Sequence, residues 1–149
     1  MKKVMTGCIL TAIILCFSGC GKNTSPQELR KLGLDPQSGQ TSVRILSKKS
    51  FYGDDLLKLV VKFPEGLTEQ LEGDPSWSPF PMDEATSSWI TQELDGIASP
   101  AAKIRSGYYT LQGGNPADPE SFLRNGHYHF IAAIYDNDNH VMYYCEVNT

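Results

Sequence analysis

Three histidines invite a test for zinc chemistry. His127 and His129 are two residues apart, on one face of any strand that carries them, and His140 follows an Asp136-Asn137-Asp138-Asn139 run. If the chain turns at Asn137-Asp138, His140 pairs with Tyr135. His129 is then six residues away along the strand, at roughly 3.4 Å per residue. Three imidazoles so placed cannot meet on one tetrahedral ion. The Asp-Asn run offers the oxygen ligands that calcium takes. It lacks the sixth-position glycine and twelfth-position glutamate of an EF-hand loop, so it reads as a turn. Asp54-Asp55 and Asp83-Glu84 are neighbours in sequence, a pattern of solvated surface rather than of an acid-base pair. The chain has no Gly-x-Ser-x-Gly elbow, no His-Glu-x-x-His and no phosphate-binding glycine loop, and Gly113-Gly114 is a turn. The expectation is a protein without catalysis, cofactor or metal, with a carboxylate enzyme of unrecognised pattern as the alternative.

One segment differs from the rest in charge. No Lys or Arg occurs between Lys62 and Lys103, while Glu65, Glu69, Glu72, Asp74, Asp83, Glu84, Glu93 and Asp95 all fall there. Trp77, Phe80 and Trp89 lie in the same stretch. Aromatic side chains supply buried area at a protein interface, and charge steers the approach of a basic partner. Glu72, Asp74, Trp77, Phe80, Asp83, Glu84 and Trp89 are therefore the expected partner-binding residues. The competing expectation is that both tryptophans are core and the acids a solubilising surface.

The N-terminus carries an address. Lys2 and Lys3 precede an apolar run from Val4 to Phe17, too short for the roughly 20 residues of a spanning helix and suited to a secretory signal. The run ends Phe17-Ser18-Gly19-Cys20. This resembles the lipobox of bacterial lipoproteins, departing from it at Phe17, where that family prefers Leu. The resemblance implies removal of residues 1–19, acylation of Cys20, and a membrane anchor through lipid rather than through a span. Gly21 stands at the sorting position, where the absence of Asp implies outer-membrane delivery in a Gram-negative host. In a Gram-positive host the anchor implies the outer face of the plasma membrane.

Without Lys2 and Lys3 the count is 11 basic against 17 acidic residues, so the formal charge moves from −4 to −6. That balance excludes nucleic acid as the expected partner. Cys8 and Cys16 leave with the signal and Cys20 is taken by lipid, so Cys145 has no partner for an internal disulfide. Stability must come from an apolar core, for which one domain's length of chain suffices.

Residues 20–40 read as a flexible tether with a helical turn at Pro26–Leu32, and 41–149 as one β-rich domain. Val43 and Ile45 alternate with Arg44, and Leu57, Leu59, Val61 and Phe63 alternate with Lys58, Val60 and Lys62. Residues 83–95 read either as a short helix or as a strand. Tyr108–Leu111 is a strand candidate and Asn115–Asn125 a loop with a turn of helix at Pro119–Leu123. His127–Tyr135 and His140–Val147 predict a hairpin. A turn at Asn137-Asp138 pairs Phe130 with Cys145 and Ala132 with Tyr143, places Cys145 in the core, and leaves the His129/Glu146 face half exposed. These strands predict a small antiparallel β-sandwich, with α+β as the alternative if the helix at 83–95 forms. The run from Gly126 to Asp138 resembles the last hairpin of immunoglobulin-like sandwiches. The lipobox, the small β domain and the Gly-x-Tyr-x-Phe hairpin together are similar to periplasmic immunity lipoproteins, which implies a secreted toxin as partner. Inhibitors of lysozyme-like enzymes, assembly lipoproteins and sugar-binding sandwiches are the other classes this pattern suits.

Overall fold

Apolar and β-branched residues form the strands, and prolines or glycines stand in several of the connections between them. A computed structural model describes residues 27–35, 42–49, 55–94 and 103–149. The expected signal segment, Cys20 and the expected tether outside 27–35 lie beyond the described residues. The first element is a 3-10 helix at Gln27–Leu32, followed by β1 (Ser42–Lys49) and β2 (Asp55–Lys62). Next come α1 (Thr68–Glu72), β3 (Ser78–Pro79), α2 (Glu84–Glu93) and β4 (Gly107–Gln112). A second 3-10 helix at Pro119–Phe122 leads into β5 (Leu123–Arg124), β6 (His127–Asp136) and β7 (Val141–Asn148). The fold is mostly β and antiparallel, and the helix weighed for 83–95 forms as α2. No helix among the described residues is long and apolar enough to cross a membrane.

Among the described residues the expected two-sheet sandwich gives way to a single open sheet. Its strand order is β1-β2-β7-β6-β4-β3, with β5 paired to β6. The reason lies in β6, which is buried continuously from Phe130 to Asp136. A strand apolar on both faces needs cover on both, and short helices with aromatic loops supply it. On one face Leu59, Val61, Ile131, Ala133, Tyr135, Met142 and Tyr144 pack under Leu29, Leu32, Leu71 and Trp77. On the other, Phe130, Ala132, Ile134, Tyr143 and Cys145 pack under Ile90, Leu94 and Phe122, with Trp89 and Phe80 at the margin. The sheet thus separates a first core, below the opening 3-10 helix and α1, from a second core below α2.

Two further expectations are corrected. The hairpin of β6 and β7 pairs Phe130 with Val147, Ala132 with Cys145 and Ile134 with Tyr143, a register two residues away from the one expected. A four-residue loop, Asn137–His140, replaces the two-residue turn. Asp136 fixes it: Oδ1 accepts the Asp138 and Asn139 N–H groups at 2.9 and 3.2 Å, and Oδ2 accepts from Asn139 Nδ2 at 2.8 Å. A slip of two keeps every side chain on its face, so Cys145 stays in the core; the face expected to be half exposed is the first core. The second correction concerns the tether. Leu29, Leu32 and Leu34 are buried in the first core, and Lys31 Nζ pairs with both carboxylate oxygens of Glu146 on β7 at 2.7 Å. Residues 27–34 therefore belong to the folded domain.

Candidate interaction surface

The basic-free segment leaves β2, crosses one sheet face, passes the sheet edge as β3 and returns over the other face. Leu67 and Leu71 anchor its first half in the first core. The Leu67 N–H donates to Tyr135 Oη at 3.0 Å, and Thr68 Oγ1 donates to Asn137 Oδ1 at 3.3 Å. The start of α1 is thereby fastened to the end of β6 and its loop. Asn137 is held from the other side by Ser106, whose carbonyl accepts the Asn137 N–H at 3.1 Å.

The seven expected binding residues occupy two sides of the molecule. Trp77 is only 6% exposed in the first core, with Nε1 aimed at the Leu32 carbonyl 3.5 Å away. Trp89 belongs to the second core, stacked on Phe122 at a centroid distance of 4.6 Å and edge-on to Phe130 at 4.5 Å. Phe80 meets Tyr109 edge-on at 6.0 Å on the same side as Trp89. Trp77 and Phe80 flank β3, three residues apart, and period two sends them to opposite faces. The tryptophans are packing residues, and no shared aromatic patch joins them.

The acids have several employments. Asp74 is held by its neighbour: Oδ1 accepts from Ser76 Oγ at 2.7 Å and from the Ser76 N–H at 2.8 Å. These bonds favour the carboxylate and lower its pKa, the hydroxyl bond more than the amide bond. Asp83 caps α2, its Oδ2 accepting from Thr86 Oγ1 at 2.6 Å and its Oδ1 from the Thr86 N–H at 2.9 Å. Its pKa is lowered for the same two reasons, in the same order. Glu84 follows in the first turn of α2, exposed and favourably placed against the helix dipole. Glu72 ends α1 and is exposed, as are Glu65 and Glu69. Those three glutamates have no ion-pair partner among the described residues. They share the side of the sheet where α1 lies, whereas Asp83 and Glu84 start α2 on the other.

The remaining reactive groups are absorbed by the fold. Cys145 is fully buried, and burial pushes its thiol up to about 12, so it stays protonated and inert at neutral pH. His127 and His140 lie at opposite ends of β6, separated by its ten residues. Among the described residues no group of three or more His, Cys, Asp or Glu is arranged to hold a metal. A feature missed in the sequence is the hairpin of β5 and β6. Its turn, Asn125-Gly126, has both φ angles positive, 55° and 81°, the Asn-Gly signature of a two-residue hairpin turn. Comparison with family models, curated proteins and solved structures finds no match to this chain.

Proposed function

We propose that the chain is a lipoprotein held in the cell envelope through Cys20, whose β domain binds a positively charged protein and performs no catalysis. The observation that carries this reading is the triplet Glu65, Glu69 and Glu72. All three are exposed, in a stretch without Lys or Arg: Glu69 and Glu72 lie on α1, whose start is fastened at Leu67 and Thr68, and Glu65 lies in the bend that leads into it. A fixed group of carboxylates attracts a basic surface at long range and loses that attraction as salt screens it. With Trp77 in the core, the contact draws more on charge than on aromatic burial, and sugar stacking on that ring has no support. A secreted cationic toxin is the partner class that suits such a module on the envelope, which makes immunity the favoured role. Inhibition of a lysozyme-like enzyme is the second reading, resting on the same charge.

Two measurements test the proposal. Cells fed a clickable palmitate should label the wild-type chain and not Cys20→Ala; an unlabelled wild type removes the anchor. Binding of the processed protein to cationic envelope toxins should weaken about tenfold in Glu69→Lys/Glu72→Lys, which reverses two steering charges. It should also lose most of its dependence on salt. Equal affinity of the variant and the wild type removes the acidic surface from the interface.

A further inference from the structure

We propose that the β5–β6 hairpin is a second membrane contact, resting its tip on the headgroups of an anionic bilayer and so setting the orientation of the anchored domain. Residues Leu123–Tyr128 are exposed without interruption. Leu123 and Tyr128 are the large apolar side chains most open to solvent among the described residues, at 38% and 41%, and they face each other across the hairpin. Arg124 faces His127 as the adjacent pair, which period two places on the hairpin's other side. A Cβ built on Gly126 would meet nothing within 4 Å, so the turn stands in open space. From Ser121 to Phe130 the chain has no Asp or Glu, although the protein as a whole is acidic.

An exposed tyrosine and leucine beside an arginine fit the water–lipid boundary: the apolar pair enters the headgroup layer and the guanidinium meets phosphate. A soluble acidic protein would satisfy Arg124 and leave the purpose of the apolar pair unexplained. The position of the hairpin adds a geometric reason. It lies at one end of β6, and the start of α1 is fastened at the other through Tyr135 and Asn137. Ten residues of strand separate the two ends, about 30 Å. A domain seated on its hairpin holds Glu65 and the start of α1 away from the bilayer, towards an arriving basic partner. The contact rests on the lipid-anchor reading: six residues, Gly21–Pro26, separate Cys20 from the docked 3-10 helix. Their reach of at most about 20 Å keeps the domain at the membrane.

Hydrogen exchange on the processed, lipidated chain tests this in vesicles of phosphatidylglycerol with phosphatidylethanolamine and in vesicles of phosphatidylcholine alone. Peptides covering 123–128 should exchange about fivefold more slowly in the anionic vesicles, the effect of one basic residue at such a surface, while those covering 65–72 are unchanged. Arg124→Gln alters only an exposed side chain and should abolish the difference without changing exchange in β7, while Leu123→Ser/Tyr128→Ser, also confined to exposed side chains, should speed hairpin exchange in the anionic vesicles. Equal hairpin exchange in both vesicle types overturns the contact and leaves the anchor standing. A chain that fails to float with phosphatidylcholine vesicles overturns the anchor and the contact with it. Neither result bears on binding of a basic protein, which is measured separately.

Discussion

The Tyr135 hydroxyl accepts the Leu67 N–H at 3.0 Å inside the first core, joining residues far apart in sequence. Tyr135→Phe would leave that buried amide without a partner. The expected loss is about 1–3 kcal/mol, read as a lower urea midpoint at unchanged slope; an unaltered midpoint means the amide finds another acceptor. Glu93, in the last turn of α2, is a second informative residue. Desolvation raises its pKa, against an opposing pull from Lys58. A carboxyl whose folded pKa lies above its unfolded value brings no penalty at low pH. The penalty grows as pH rises through the ordinary carboxylate value and on through the raised one. Glu93→Gln should therefore gain stability relative to wild type as pH rises above the ordinary carboxylate value of about 4; urea midpoints of the two proteins that stay parallel through that rise would count against it.

Among the elements, the 3-10 helix at Gln27–Leu32 decides where the folded domain begins. Among the interactions that hold it are burial of Leu29 and Leu32 and the Lys31–Glu146 ion pair, whose lysine is 48% exposed. Their magnitudes differ. A leucine removed from a core costs about 2–5 kcal/mol, whereas a solvent-exposed ion pair contributes about 0–1 kcal/mol. Leu29→Ala should thus lower stability several times more than Lys31→Ala in thermal or urea unfolding, and the reverse order would mean that charge does the docking. The start of α2 obeys a different control. Its cap is Asp83, with a lowered pKa, so the contribution is present above the unfolded carboxylate value and lost as pH falls through the depressed one. Asp83→Ala should destabilise at neutral pH and become neutral in strong acid, while Asp83→Ser keeps an acceptor for the Thr86 amide.

For the whole molecule, the sheet separates two cores, and the chain crosses from one to the other at its β3 edge. That crossing distributes the acidic segment over both sides, leaving Glu65, Glu69 and Glu72 as the group with α1 and Asp83 with Glu84 at the start of α2. If the domain recruits a basic protein through the α1 side alone, Glu84→Lys should leave affinity and salt dependence near wild type while Glu72→Lys weakens both. Equal effects would show that net charge, rather than this surface, governs association.

Local physics left clear marks in the sequence. Period-two alternation marks β2, the run Tyr108–Leu111 ahead of Gly113-Gly114 marks β4, and the strong turn run Asp136–Asn139 marks the β6–β7 connection. The resemblance of Phe17–Cys20 to a lipobox is a sequence reading, and what it implies rests on the palmitate experiment. Two further signals stand in the sequence: the Asn125-Gly126 dipeptide marks a hairpin turn, and the unbroken apolar run Phe130–Tyr135 marks a strand covered on both faces. Register was different in kind, because a slip of two residues preserves every face and only the Asp136 loop bonds distinguish the alternatives. The fate of the tryptophans was settled by tertiary structure alone. Composition supplied aromatics beside acids, but whether such rings are anchors or packing depends on what covers each sheet face, and that is decided by elements distant in sequence: residues 29–34 over Trp77, and Phe122 with Phe130 against Trp89.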